Sequence, residues 1–219
     1  MIKAVIFDLD GTLACTLPDL TEGVSRTRAR FGRPPITEAE VLKFINGTTH
    51  EYIHNCFPDL TGEQMHIAEQ TYMEEYSHCF LDHTYAYEGL TEVVDELKRR
   101  GFRLAVFTNK DNLHANAIVK KLYGEDTFEM IIGTGMFPGK PDPTGAVYIA
   151  EKLGAAPEET AFIGDSDVDV HTGINAGMVR LDVSWGYRSE DILIAEGAQY
   201  MAHTPADIIK IIDEINSEK

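Results

Sequence analysis

The sequence predicts an α/β protein: a parallel sheet interrupted, after its first strand, by a helical insertion. Three observations predict it. Ala4-Val5-Ile6-Phe7 is an apolar, β-branched run too short for a helix, and so reads as a buried strand. From Tyr87 onward, strand patterns alternate with helical ones, which is the signature of a parallel sheet with crossover helices. Between these stretches, residues 14–83 carry helical periodicity and no strand pattern.

In the insertion, Leu17, Leu20, Val24 and Thr27 recur at helical spacing until Gly32-Arg33-Pro34-Pro35 breaks it. Thr37 and Glu40 have capping-box spacing and open a second helix through Val41, Leu42 and Ile45. After the break at Asn46-Gly47-Thr48-Thr49 a short helix runs to Cys56, and a longer one begins at Thr61 or Gly62 and reaches about Leu81. In the second part, Leu90, Val93, Val94 and Leu97 mark a helix with one buried face, stopped by Gly101. Strands are expected at 103–107, 128–132, 160–163 and 179–182, with helices at 112–122, 143–153 and 168–177. Thr204-Pro205 opens a last helix with Ile208, Ile211, Ile212 and Ile215 on one face.

Composition narrows the function. Asp and Glu outnumber Lys and Arg 36 to 19, a formal charge of −17. A chain so acidic, with no basic face, is a poor partner for nucleic acid or for an anionic membrane surface. Cys15, Cys56 and Cys79 are odd in number and lack metal-ligand spacing, which fits a reducing cytoplasm rather than a disulfide framework. Residues 1–20 show no signal-peptide pattern, and no run of 18 apolar residues occurs.

Four motifs carry chemistry. The first strand ends in Asp8-Leu9-Asp10-Gly11-Thr12-Leu13, two carboxylates two residues apart at a strand's carboxyl end, where α/β sheets bind ligands. Gly11 permits a sharp turn there. A lone D-x-D-G is more often a solvated acidic turn. Thr108-Asn109-Lys110 follows the 103–107 strand with a hydroxyl and an amide able to bind anionic oxygens. Gly139-Lys140-Pro141-Asp142-Pro143 sets a lysine, the positive charge an acidic site needs, on a restricted backbone. Ile163-Gly164-Asp165-Ser166-Asp167-Val168-Asp169 is a second apolar strand ending in clustered acids. Helix capping accounts for one or two of these acids and serines, not for all of them beside another acidic strand end.

In this order, D-x-D-G-T-L, T-N-K, G-K-P and G-D-S-x-x-D closely resemble the haloacid dehalogenase superfamily of phosphatases. Tyr87-x-Gly89, Thr108-Asn109-Lys110 and Lys140-Pro141-Asp142-Pro143 look most like its phosphoglycolate phosphatase group. The resemblance implies a doubly wound parallel-sheet (Rossmann-like) core, residues 1–13 and 84–219, with a helical cap, residues 14–83, inserted after the first strand. It implies that Asp8 is the nucleophile and Asp10 the general acid and base. Mg²⁺ is expected on the Asp8 carboxylate, the Asp10 backbone carbonyl and Asp165. Thr108, Asn109 and Lys140 are expected around the phosphate, with Gly11, Ser166 and Asp169 in support and Asp167 solvated. Asn46, Gly47 and Thr48 resemble a substrate-facing cap loop. The partner implied is a small phosphorylated metabolite, 2-phosphoglycolate first, on a monomer or homodimer. One departure stands out: Ala14-Cys15-Thr16 places Cys15 where the family usually has an acid near the cap hinge.

Other readings are a phosphomutase of the β-phosphoglucomutase kind, a pyrophosphatase, or a non-catalytic binding module on the same scaffold. His50 and His54 are spaced as a metal pair, but no third ligand stands near them in the sequence, so they read as a solvated helix face.

Overall fold

In the computed structural model, which describes every residue except Asn46, Glu218 and Lys219, the chain opens with β1 (Ala4–Phe7), buried along its whole length. Such a run belongs inside a parallel sheet covered on both faces. There follow β2 (Ala14–Cys15), α1 (Leu17–Arg30), α2 (Glu38–Val41), α3 (Thr49–Cys56), α4 (Gly62–Ser77) and β3 (Tyr85–Ala86). The remainder alternates: α5 (Leu90–Arg99), β4 (Arg103–Asp111), α6 (Asn112–Tyr123), β5 (Met130–Thr134), α7 (Thr144–Lys152), β6 (Thr160–Gly164), α8 (Asp167–Ala176), β7 (Val179–Val183), α9 (Glu190–Ala195), β8 (Tyr200–Ala202) and α10 (Pro205–Ser217). The chain forms two compact units, Met1–Ala14 with Ala86–Lys219, and Cys15–Tyr85.

The first unit is a six-stranded parallel sheet in the order β5-β4-β1-β6-β7-β8, flanked by helices. The chain steps outward from β1 through β4 to β5, then returns to the other side of β1 and steps outward through β6, β7 and β8. This is the doubly wound arrangement, and its reversal lies between β1 and β6, where a crevice opens at the carboxyl ends of the strands. Phe7 is in register with Ile163, and the Asp8 amide donates to the Ile163 carbonyl at 2.8 Å. The residues that leave these two strands, Asp8 and Asp165, therefore emerge side by side. One face of the sheet packs Ile6, Phe107 and Phe162 against Ala146, Ile149 and Leu153 of the α7 region.

In the second unit α1 lies on α4. Gly23 faces the rings of Tyr72 and Tyr76, which stack with centroids 5.4 Å apart. Tyr52 meets Tyr72 edge-on at 5.7 Å and donates its hydroxyl to the Leu20 carbonyl at 3.2 Å. Asp19 is wholly buried and accepts from the amides of His83 and Thr84 at 3.0 and 2.8 Å, so the start of α1 is tied to the end of the unit. Its burial without loss of hydrogen bonding meets the usual condition for an interior acid. No helix among the described residues is long and apolar enough to cross a membrane, and the three cysteines are free.

Several boundaries differ from the sequence reading. β4 does not stop at Phe107 but runs to Asp111, with a register irregularity that sets Phe107–Asp111 against Ile132–Thr134. The extra residues form a bulge, a feature that re-aims side chains at a strand end. It closes over Gly133, where any Cβ would strike the Lys110 carbonyl and the Asn112 backbone. α2 has four residues rather than two turns, although its Thr37–Glu40 capping box is present. α4 ends at Ser77, short of Leu81. A sixth strand, β8, and the short helix α9 lie in a stretch to which the sequence patterns assign no element, because so few residues do not let a period register.

Asp182, at the end of β7, is buried with its Oδ2 lacking any hydrogen-bond partner among the described residues. Burial, with Asp169 adding to it, pushes its carboxyl from the ordinary 3.8 up to about 7. An acid raised in the folded state holds its proton more tightly there than when unfolded, so it costs stability as pH rises from about 4 through 7. Asp182→Asn is expected to be more stable than the parent by about 4 kcal/mol above neutrality, from the size of that shift. Urea unfolding across pH should show this gap closing toward pH 4.

Candidate active site

All four motifs converge at the carboxyl end of the sheet. β1 delivers Asp8 and Asp10, the β4 bulge delivers Thr108, Asn109 and Lys110, the loop before α7 delivers Lys140, and β6 delivers Asp165. Gly11 sits at φ 92°, and a Cβ there would overlap the Asp165 carboxylate, so glycine is needed for both backbone and space. The turn it makes is closed by its own amide on the Ala14 carbonyl at 2.9 Å.

Lys140 is the hub. Its Nζ donates to Asp8 Oδ1 at 2.5 Å and to Asp169 Oδ1 at 2.6 Å, with all three side chains buried. Asp8 Oδ2 accepts no hydrogen bond among the described residues. One oxygen of Asp8 is thus held by the lysine and the other is not. Burial works against the charge of Lys140, but Asp169 and Asp8 outweigh it and hold its pKa above the ordinary lysine value. For Asp8 burial dominates, opposed by Lys140 and reinforced by Asp169, and pushes the carboxyl up to about 7. Asp165 is likewise raised well above the carboxylate range by burial and by Asp169 and Asp8.

The supporting acids differ in employment. Asp165 accepts from the Thr12 hydroxyl at 2.7 Å through Oδ1 and from the Tyr187 amide at 2.7 Å through Oδ2. Asp169 accepts through Oδ2 from the Ser166 hydroxyl at 2.5 Å and from the Ser166 amide at 3.1 Å, while its other oxygen holds Lys140. Ser166 is the N-cap of α8 in a capping box with Asp169, so capping accounts for both residues and the serine is not a free metal-shell group. Asp167, read as solvated, pairs with Arg188 at 3.4 Å.

Asn109 corrects the sequence reading more sharply. Its Nδ2 donates to the Lys140 carbonyl at 3.0 Å, and its Oδ1 accepts from the Lys140 amide at 2.7 Å. The amide side chain clamps the lysine loop rather than facing a phosphate. Thr108 Oγ1 accepts weakly from the Lys110 amide at 3.3 Å and keeps its hydroxyl proton to donate. Sequence reasoning passed over three groups: Lys110, whose buried Nζ holds both oxygens of Asp10 at 3.0 and 3.2 Å, Thr12, and the Tyr187 amide. Lys110 stood inside the T-N-K motif, so a buried lysine beside acids was the available signal; nothing local marks the other two.

Asp8, Asp165 and Asp169 offer carboxylate oxygens within 4.8 Å of one another, a group that could hold a metal ion. Its all-oxygen donor set suits a hard divalent cation. The charges agree: Lys140 pairs with Asp8 and Asp169 and Lys110 with Asp10, and burial, with the neighbouring acids adding to it, raises the carboxyls of Asp8 and Asp165. Of the cap-loop residues, Thr48 caps α3 in a capping box with Glu51. Gly47 precedes it at φ 129°, and Asn46 lies outside the described residues.

The sequence profile of the haloacid dehalogenase-like hydrolases matches residues 5–183. Over 216 residues the chain is 30% identical to the N-acetylmuramic acid 6-phosphate phosphatase of Pseudomonas aeruginosa, covering 97% of this chain and 95% of that one. It is 29% identical to the phosphoglycolate phosphatase of Mannheimia succiniciproducens, covering 96% and 98%. A crystal structure from Haemophilus somnus, described as a predicted phosphoglycolate phosphatase, superposes with a TM-score of 0.91 at 25% identity, covering 96% of this chain and 98% of that one.

The Asn109 clamp is testable by stability alone. Asn109→Ala removes both bonds to the Lys140 backbone and strands a buried amide and carbonyl, at a cost of about 1–3 kcal/mol. Thermal unfolding should fall by roughly 3–9 °C for a chain of this size.

Proposed function

Because the chain belongs to the haloacid dehalogenase-like hydrolase family and is a phosphatase, we propose that it hydrolyses a small phosphomonoester through an aspartyl-phosphate on Asp8. The observation that carries this reading is the division of labour on Asp8: Oδ1 is held by Lys140 and Oδ2 is free. In the first step Asp8 Oδ2 attacks phosphorus, the bond to the leaving oxygen breaks, and Asp10 gives that oxygen a proton. In the second, Asp10 takes a proton from water, the water oxygen attacks phosphorus, and Asp8 is released with inorganic phosphate. Lys110 grips both Asp10 oxygens and so fixes where that carboxyl points. Lys140 and the Thr108 hydroxyl face the transferring oxygens, whose charge spreads in the transition state. Asp169 and the Asn109 clamp keep Lys140 in place from side chain and backbone.

Mg²⁺ is the cofactor of this reading. Asp8, Asp165 and the Asp10 carbonyl would hold it, and it would supply charge neutralisation so that one anion can approach another. Residues 14–83 act as a cap that selects the leaving group, with Gly47 and Thr48 in its substrate loop.

For the substrate, 2-phosphoglycolate stands first, on the names carried by several relatives. The similarity to an N-acetylmuramic acid 6-phosphate phosphatase favours a second candidate. Both are phosphomonoesters of a carboxylic acid, so the cap is expected to supply a cation or amide donors for a carboxylate. Phosphate release should be assayed on both compounds, pyrophosphate, β-glucose 1-phosphate and a nucleotide monophosphate, with Mg²⁺ and with EDTA. One preferred carboxylated ester, hydrolysed only with Mg²⁺, is the expected result; isomerised sugar phosphate would mark a mutase instead. Asp8→Asn should lose turnover by at least about 10³-fold, since no nucleophile remains. Retained activity in that variant would refute the covalent step.

A further inference from the structure

Among the described residues a second group of potential metal ligands lies in the helical unit. His50 and His54 stand one turn apart on α3, and α4 brings Glu69 to them. The third ligand absent from the local sequence is thus supplied by another helix. Glu69 Oε1 lies 2.5 Å from His50 Nδ1 and 3.1 Å from His54 Nε2, and the two rings are 4.1 Å apart at their centroids. Each residue offers one donor atom within 4.8 Å of the others. His66, one turn before Glu69, adds a further imidazole with Nδ1 4.0 Å from Glu69 Oε2.

We propose that His50, His54 and Glu69 form a second metal site, of the Zn²⁺ class, that fastens α3 to α4. Three features argue for it. First, two imidazoles four residues apart on a helix present nitrogens to one point, and a carboxylate from a facing element completes a His₂Glu set familiar in zinc chemistry. Second, the donors are borderline-soft nitrogens with one oxygen, unlike the all-oxygen set beside Asp8, so the two sites discriminate between a transition metal and Mg²⁺. Third, exposed ion pairs and hydrogen bonds are weak, and gathering two exposed imidazoles on one carboxylate oxygen is not explained by what such pairs contribute. In the metal-free arrangement each imidazole presents an N–H to Glu69; in the other neutral tautomer, with the proton on the second ring nitrogen, the same atoms present inward lone pairs. Widening the His50–Glu69 approach to the spacing of two ligands on one ion needs only side-chain movement at the surface. His66 or a water would take the fourth position. All of its donors lie within the helical unit.

The test is a Zn²⁺ titration of the full chain by calorimetry in millimolar Mg²⁺, which fills the oxygen site, with Co²⁺ absorption as an independent probe of imidazole ligation. The proposal expects one strong Zn²⁺ site per chain and a thermal unfolding temperature raised by the metal. Affinity should fall at least tenfold in His54→Ala and in Glu69→Gln and persist in Asp165→Asn. Unchanged binding in both cluster variants, binding lost only in Asp165→Asn, or no binding above a buffer blank would each overturn it. His50 and His54 are exposed, and circular dichroism in EDTA should match the parent; His50→Gln is the substitute if His54→Ala fails to fold.

Discussion

The pull of Lys140 on two buried carboxylates organises the sheet-bearing unit of this protein. Asp8 and Asp169 could not share that space as bare anions, and one ammonium 2.5 and 2.6 Å from them makes the arrangement possible. Much of the neighbouring structure serves that lysine. Asn109 clamps its backbone, the Ser166 cap fixes the far oxygen of Asp169, and the ring of Phe162 lies 5.8 Å from its Nζ. Loss of the lysine would leave two carboxylates in a low-dielectric site without their counter-ion, and the neutral groups around it keep it in position.

The compensation is incomplete, and that is informative. Lys140 and Lys110 bring two positive charges to four acids, and burial drives Asp8 and Asp165 toward their neutral forms. A site that only needed stability would not keep such a surplus. One that binds a divalent cation, and then an anion beside it, needs the surplus before the ligands arrive. The proposed nucleophile follows the same logic: Asp8 Oδ1 is engaged by Lys140, and Oδ2 accepts no hydrogen bond among the described residues.

Sheet topology makes this geometry cheap. The reversal of winding between β1 and β6 opens a crevice without any special loop, and the in-register pairing of Phe7 with Ile163 places two acidic strand ends beside each other. The β4 bulge adds the third wall by turning Thr108 to Lys110 out of the ladder over Gly133. The helical unit uses different means, burying Asp19 against the amides of His83 and Thr84 and stacking tyrosines where Gly23 allows close approach.

What the chain determined by itself was local. A four-residue apolar run, the alternation after Tyr87, capping residues and turn glycines specify elements through neighbours a few positions away, so strand, helix and the acidic strand ends were legible, as were the four motifs in order. The three-residue β8 was not, because it forms only by pairing with β7, and neither was the extension of β4, which depends on a glycine in β5. Tertiary structure alone decided which polar atoms meet. Lys110 finds Asp10 across 100 residues, Thr12 finds Asp165 across 153, Asn109 finds the Lys140 backbone across 31, and Glu69 finds His54 across 15. No periodicity encodes such pairs, since they follow from strand order and helix crossing, and those are set by how the whole hydrophobic surface is buried.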